Sequence, residues 1–159
     1  MKSPGAWMLA ESNNPFGLVR DGSSAADTGK TALRLLVIDD DSLHRMVICR
    51  AAAKAGYLPA GAATCDEAAK MIRETAFDCI TLDLGLGDRA GSEILHHLAS
   101  LGCAAPIIVI SGCDAATCKE AVRIAGLLKL NLWECIPKPV DLAMLRSFLE
   151  RLRDTRLAA

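Results

Sequence analysis

The stretch Phe77-Asp78-Cys79-Ile80-Thr81-Leu82-Asp83-Leu84-Gly85-Leu86-Gly87-Asp88-Arg89-Ala90-Gly91 decides how this chain is read. An apolar run stops on an aspartate, and a glycine-bearing loop follows at once. In an α/β protein, ligands bind just outside the carboxyl ends of parallel strands, so chemistry is expected here. A carboxylate in that place can ligate a metal, attack as a nucleophile, or merely close a turn. What else reaches the same edge decides among the three.

Working outward, the same grammar repeats. Leu33–Ile38 is a short apolar run that stops on Asp39-Asp40-Asp41, and Leu43, Met46, Val47 and Ala51 then recur at helical spacing. Asp41 or Ser42 would cap that helix. Residues 57–63 form a weaker strand, and Thr64-Cys65-Asp66-Glu67 matches a capping box opening a helix to about Thr75. After the strand 77–82 come a helix over 92–100, a strand over 106–110 ending on Ser111-Gly112, and a helix from Asp114 or Ala115 to Leu128. A fifth strand, 132–136, ends on Pro137-Lys138-Pro139, and Asp141 caps a last helix carrying Leu142, Leu145, Phe148, Leu149 and Leu152 on one stripe. Five alternations of strand and helix predict right-handed crossovers and a doubly wound parallel sheet with helices on both faces.

Composition narrows the function. The 159 residues suit one domain, and a net charge of −1 with 23% charged residues argues against a nucleic-acid surface, which needs a basic excess. No apolar run approaches the ~20 residues of a membrane span, and the N-terminus is too weakly apolar for a secretory signal. Residues 1–32 show no periodicity and are expected to be a flexible tail. A docking role for Trp7, Met8 and Phe16, or a start codon placed too far upstream, are the alternatives there. The cysteines at 49, 65, 79, 103, 113, 118 and 135 form no CxxC and read as small hydrophobes in a reducing cytosol. Were two of them to pair or bind zinc, Cys113 and Cys118 would be the pair.

A parallel sheet brings all strand ends to one edge. Asp39 and Asp40, Asp83, Ser111 and Lys138 therefore converge. Two carboxylates about 4 Å apart repel by roughly 4 kcal/mol at an effective dielectric near 20, so three need a bound positive charge. A hard divalent cation with oxygen ligands fits, Mg²⁺ best. Such an ion, with Lys138, would neutralise phosphoryl oxygens, and a facing carboxylate could attack the phosphorus to give an acyl phosphate.

Residues 33–153 resemble the receiver domain of two-component response regulators. The matching segments are Leu36-Val37-Ile38-Asp39-Asp40-Asp41, Leu82 to Gly91, Pro106 to Gly112, and Pro137-Lys138-Pro139-Val140. Ile110-Ser111-Gly112 and Gly126 with Leu130-Asn131 are similar to receivers found beside cyclic-di-GMP phosphodiesterase domains. The resemblance implies a flavodoxin-like fold with strand order 2-1-3-4-5, spanning 33–155 with a short tail at 156–159. It implies Asp83 as phospho-acceptor, Ser111 and Lys138 as residues meeting the phosphoryl group, and Mg²⁺ held by Asp39, Asp40, Asp83 and the Gly85 carbonyl. It also implies a cis Lys138–Pro139 bond.

The protein is therefore expected to be a cytoplasmic, stand-alone receiver rather than an enzyme with a separate substrate, catalysing only its own phosphorylation and dephosphorylation. A sensor histidine kinase or histidine phosphotransfer protein would be the donor. The last two helices and fifth strand would meet a downstream protein target or a second copy. Gly85 offers no side chain to obstruct water, so the phosphorylated form should be short-lived. Gly87 and Ala90 depart from the family's Pro and Asp and should loosen the loop after Asp83. Cys135 stands at the usual aromatic switch position, and Trp133, two residues earlier on the same strand, is a candidate substitute. His44 is expected to neighbour the acid cluster, whereas His96, His97, Arg146, Arg151 and Arg153 read as surface residues. The alternatives are an unphosphorylated pseudo-receiver acting as an interaction module, and a haloacid-dehalogenase-type phosphohydrolase with Asp39 as nucleophile.

Overall fold

In the computed structural model, residues 32–87 and 89–159 are described. The tail expected over 1–32 falls almost wholly outside them. Five strands, β1 (Arg34–Ile38), β2 (Leu58–Ala62), β3 (Cys79–Leu82), β4 (Ile107–Ser111) and β5 (Leu132–Pro137), alternate with five helices. These are α1 (Ser42–Lys54), α2 (Cys65–Glu74), α3 (Gly91–Ser100), α4 (Ala115–Leu127) and α5 (Leu142–Leu157). All strand pairs are parallel, and the order is β2-β1-β3-β4-β5. This is the doubly wound fold that the alternation predicts. Helix α5 runs on to Leu157, so Arg156 and Leu157 belong to it rather than to a tail.

The sheet separates two apolar layers, which is why its strands are continuously apolar rather than alternating. Leu36, Ile38, Ile80, Leu82 and Val109 pack with Leu95 and Leu98 of α3 and Ala121 and Ala125 of α4. Leu35, Val37, Ile108, Ile110 and Ile136 pack on the other face with Ile48 of α1 and Leu145, Leu149 and Leu152 of α5. Burying each such Leu or Ile contributes about 1.5–3 kcal/mol. Tyr57 is the buried ring of this layer, with Phe148 partly buried against it, and its hydroxyl donates to Leu149 O at 3.0 Å.

Side-chain caps fix where most helices start. Asp41 Oδ1 accepts from His44 N (2.9 Å), Asp114 Oδ1 from Thr117 N (2.8 Å), and Asp141 Oδ1 from Ala143 N and Met144 N (2.9 and 3.0 Å). At α2, Thr64 Oγ1 accepts from Glu67 N (3.1 Å), while Glu67 Oε2 reaches back one residue beyond the cap, to Ala63 N (2.7 Å). Only α3 starts without one, because Ala90 has no side-chain acceptor.

Three expectations need revision. Strand β3 begins at Cys79 rather than Phe77, because Asp78 and Arg34 clamp the sheet end through Asp78 N–Arg34 O and Arg34 N–Asp78 Oδ2, both 2.8 Å. Strand β5 carries a bulge, since Ile107 pairs with Leu132 but Ile108 with Glu134, which leaves Trp133 as the extra residue. Arg153 is no free surface charge, because its guanidinium donates to Ala55 O at 2.7 Å and ties α5 to the end of α1.

Candidate functional site

Asp39 follows β1, Asp83 follows β3, Ser111 ends β4 and Lys138 follows β5, so the topology delivers all four to one edge. That edge is densest between β1 and β3, where the chain, having placed β2 on one side of β1, crosses to the other. Such a switch point opens a crevice at the strand ends. Asp39 and Asp83 are buried, at 1% and 6% exposure, and Asp40 points outward.

Carboxylate oxygens of Asp39, Asp40 and Asp83 lie within 4.8 Å of one another. Asp39 is held hardest: Oδ1 accepts from Asp41 N at 2.9 Å, and Oδ2 meets His44 Nδ1 and, at 3.5 Å, Lys138 Nζ. Asp83 Oδ1 accepts from Gly85 N at 2.9 Å and Oδ2 from Lys138 Nζ at 2.7 Å. Asp40 has one long bond, from Gly87 N at 3.3 Å. Burial alone would lower the Lys138 pKa, but the hydrogen bond to Asp83 and the charge of Asp39 outweigh it and hold the ammonium above its usual range.

Ser111 is fully buried, and its hydroxyl accepts from Cys113 N at 3.2 Å rather than engaging Asp83. It meets Lys138 only through the backbone, Lys138 N donating to Ser111 O at 3.0 Å. The Lys138–Pro139 bond is cis, as the resemblance implies. Gly85 is exposed, and a Cβ built on it would lie 3.4 Å from Asp83 Oδ1. Beside Asp40 a pocket of about 310 Å³ opens between Thr64, Asp66, Gly87 and Arg89.

His44 does neighbour the acids, as its position after them suggests. Arg45 escaped the sequence reading: its Nη1 donates to Asp39 O at 2.6 Å, and its stem lies over Gly61, where a Cβ would meet Arg45 Cδ at 3.0 Å. Only the paired strands reveal that a helix residue and a glycine on β2 pack together here.

Residues 35–150 match the family model of the response regulator receiver domain. The chain belongs to this family. Among curated relatives, the receiver is 32% identical over 130 residues to the protein-glutamate methylesterase/protein-glutamine glutaminase 2 of Koribacter versatilis (strain Ellin345), covering 80% of this chain and 34% of that protein. It is 31% identical over 126 residues to response regulator MprA of Mycobacterium ulcerans (strain Agy99), covering 77% and 52%. The chain thus spans about a third to a half of these relatives. Among solved structures, a CheY-like receiver domain protein from Methanospirillum hungatei JF-1 superposes with a TM-score of 0.67 at 23% identity, covering 81% of this chain and all of that one. A response regulator protein from Burkholderia pseudomallei, solved with a phosphorylated aspartic acid, a calcium ion and citrate, gives 0.62 at 26% identity, covering 79% and 72%.

The bulge changes which β5 residues share a face. In a regular strand Trp133 and Cys135 would share a face, but with the extra residue it is Leu132 and Cys135 that pack on the α3–α4 layer. Trp133 belongs to neither layer and is 39% exposed. The expected parity between Trp133 and Cys135 is lost.

Proposed function

We propose that this receiver accepts a phosphoryl group on Asp83 from a phosphohistidine of a histidine kinase or phosphotransfer protein. The observation that carries the reading is the buried Asp83 carboxylate, bridged to Lys138 at 2.7 Å and clustered with two further acids. An Asp83 oxygen bonds to phosphorus as the phosphorus–nitrogen bond to the donor imidazole breaks. Water later attacks the same phosphorus, the bond to Asp83 breaks, and inorganic phosphate leaves.

Lys138 pairs with two of the three clustered carboxylates, and the ligand atoms the cluster offers are hard oxygens, a set that suits Mg²⁺. Asp39, Asp40 and Asp83, with the Gly85 carbonyl, would hold it, and when bound it supplies positive charge against the phosphoryl oxygens. Lys138 adds a fixed cation at Asp83, His44 and Arg45 hold Asp39 in place, and Ser111 stands at the neighbouring strand end. The absence of a side chain at Gly85 leaves Asp83 Oδ1 open to water, which supports a short lifetime for the phosphorylated form.

For output, Val122 and Leu127 of α4, Trp133 of β5 and Met144 of α5 expose apolar side chains on the elements expected to meet a target or a second copy. Against the phosphohydrolase alternative, that family needs an acidic pair on the strand beyond the lysine, whereas the acids after Lys138, which are Asp141, Glu150 and Asp154, cap α5 or lie on it.

The test is incubation with a small phosphodonor and Mg²⁺, followed by intact mass. One phosphoryl group is expected on the wild type and none on Asp83→Asn. No addition to either protein would favour the pseudo-receiver. Decay of the adduct over many hours after donor removal would contradict the short lifetime.

A further inference from the structure

His44 stands on the first turn of α1 with its ring turned back onto the acid cluster. Two separate contacts place it. Its backbone N–H donates to Asp41 Oδ1 at 2.9 Å and caps the helix, a bond in which the ring plays no part. Its Nδ1 meets Asp39 Oδ2, a bond that needs the imidazole. The side chain is largely covered, at 19% exposure, and Nε2 is buried without a hydrogen-bond partner. A buried polar atom left unpaired costs stability, so packing alone would favour an apolar residue here. Only Nδ1 has a partner, and that partner is an acceptor, which assigns the ring hydrogen to Nδ1.

We infer that His44 is a positioning residue for the cation: by holding Asp39, it sets how tightly the acid cluster binds Mg²⁺. The inference rests on the proposed reading of that cluster as the Mg²⁺ site and deepens it. His44 is not itself a ligand. Among the described residues, the group gathered to metal-binding distance is Asp39, Asp40 and Asp83. The imidazole acts one bond further out, as hydrogen-bonded partners of ligating side chains do.

The surrounding bonds show what it contributes. Asp39 Oδ1 accepts from Asp41 N at 2.9 Å, and the Asp39 carbonyl accepts from Arg45 Nη1 at 2.6 Å. Oδ2 lies between His44 Nδ1 and Lys138 Nζ, the latter 3.5 Å away. That ammonium is 2.7 Å from Asp83 Oδ2. With His44 satisfying Asp39, Lys138 stays on Asp83. Without the imidazole, the buried Asp39 carboxylate has only the lysine left as a donor for Oδ2 and turns toward it, out of the arrangement that faces a cation.

The experiment titrates the full chain with MgCl₂ alone, by calorimetry, with no phosphodonor present. His44→Leu removes the donor and should bind Mg²⁺ about 10–100-fold more weakly. His44→Asn, whose side-chain N–H₂ stands where Nδ1 stood, should recover most of that loss. Circular dichroism reports whether each variant folds, and the wild type supplies a reading that needs no substitution. Magnetic resonance of its isotope-labelled imidazole nitrogens should place the His44 hydrogen on Nδ1, with a signal that moves as Mg²⁺ is added. A folded His44→Leu with wild-type affinity, His44→Asn as weak as His44→Leu, or a ring hydrogen on Nε2 would overturn the inference and leave the chemistry at Asp83 untouched. A wild type that binds no Mg²⁺ would overturn it together with the metal reading on which it rests.

Discussion

Lys138 donates a 2.7 Å hydrogen bond to Asp83 across 55 positions of sequence, and the same ammonium lies 3.5 Å from Asp39. One cation from the end of β5 therefore spans carboxylates from β1 and β3. Replacing it with Met should slow phosphoryl incorporation at Asp83 by about 10²-fold or more, as loss of a preorganised charge does elsewhere. Arg should restore little, because its planar fork cannot occupy the place of a compact ammonium. Time-resolved intact mass would measure both, and a Lys138→Met rate within a few-fold of wild type would sink the role assigned to it.

The acid cluster predicts a stability response that does not depend on phosphorylation. A ligand that binds only the folded state at about 100 times its Kd adds about 2.7 kcal/mol. For a chain of this size each kcal/mol is worth roughly 2–4 °C in Tm, so Mg²⁺ should raise Tm by several degrees. Asp40→Asn should remove most of that rise. An equal rise in this variant would mean that the cation binds elsewhere.

Helix α3 offers a gain of stability. Ala90 occupies its N-cap with extended backbone, φ −66° and ψ 142°, and supplies no side-chain acceptor. Ala90→Asp should cap the helix and stabilise the fold by about 1 kcal/mol. Urea unfolding would show the midpoint move up with an unchanged slope. A lower midpoint would refute this account of the loop.

Truncation separates the packed face of α5 from the open face of α4. Leu149 is fully buried against α1 and the sheet, so Leu149→Ala should cost about 2–5 kcal/mol. Leu127, 69% exposed on α4, should change stability by no more than about 0.5 kcal/mol when made Ala. Comparable losses in the two variants would show that α4 is covered in solution.

Tyr57 predicts the alkaline limit of the fold. Burial pushes its phenol well above the ordinary value of 10.0, because the ionised form has no water around it. A group raised in the folded state contributes stability that is full below its unfolded pKa and is lost as pH rises beyond it. Stability should therefore decline from about pH 10 upward. As Tyr57 is the only tyrosine, tyrosinate absorbance reports it directly and should appear together with loss of helical circular dichroism. Ionisation near pH 10 in a protein that stays folded would contradict its burial.

Much of this molecule is legible in its residues taken alone. Apolar runs ending on Asp39, Asp83, Ser111 and Lys138 announce strand ends, because a buried strand must stop where polar groups reach water. Capping side chains at Asp41, Thr64, Asp114 and Asp141 mark four helix starts, because a helix leaves N–H groups that only a nearby acceptor satisfies. Such signals are local, and a parallel sheet converts them into a shared edge without further information.

What the tertiary structure alone decided is longer in range. The bulge at Trp133 depends on how β5 registers against β4, and one extra residue reverses the parity on which side-chain facing rests. The contact of Arg45 with Asp39 and Gly61 joins separate elements whose spacing in sequence carries no periodic signal. Strand ends follow from where apolar residues stop. Partners across a sheet follow only from how its layers close.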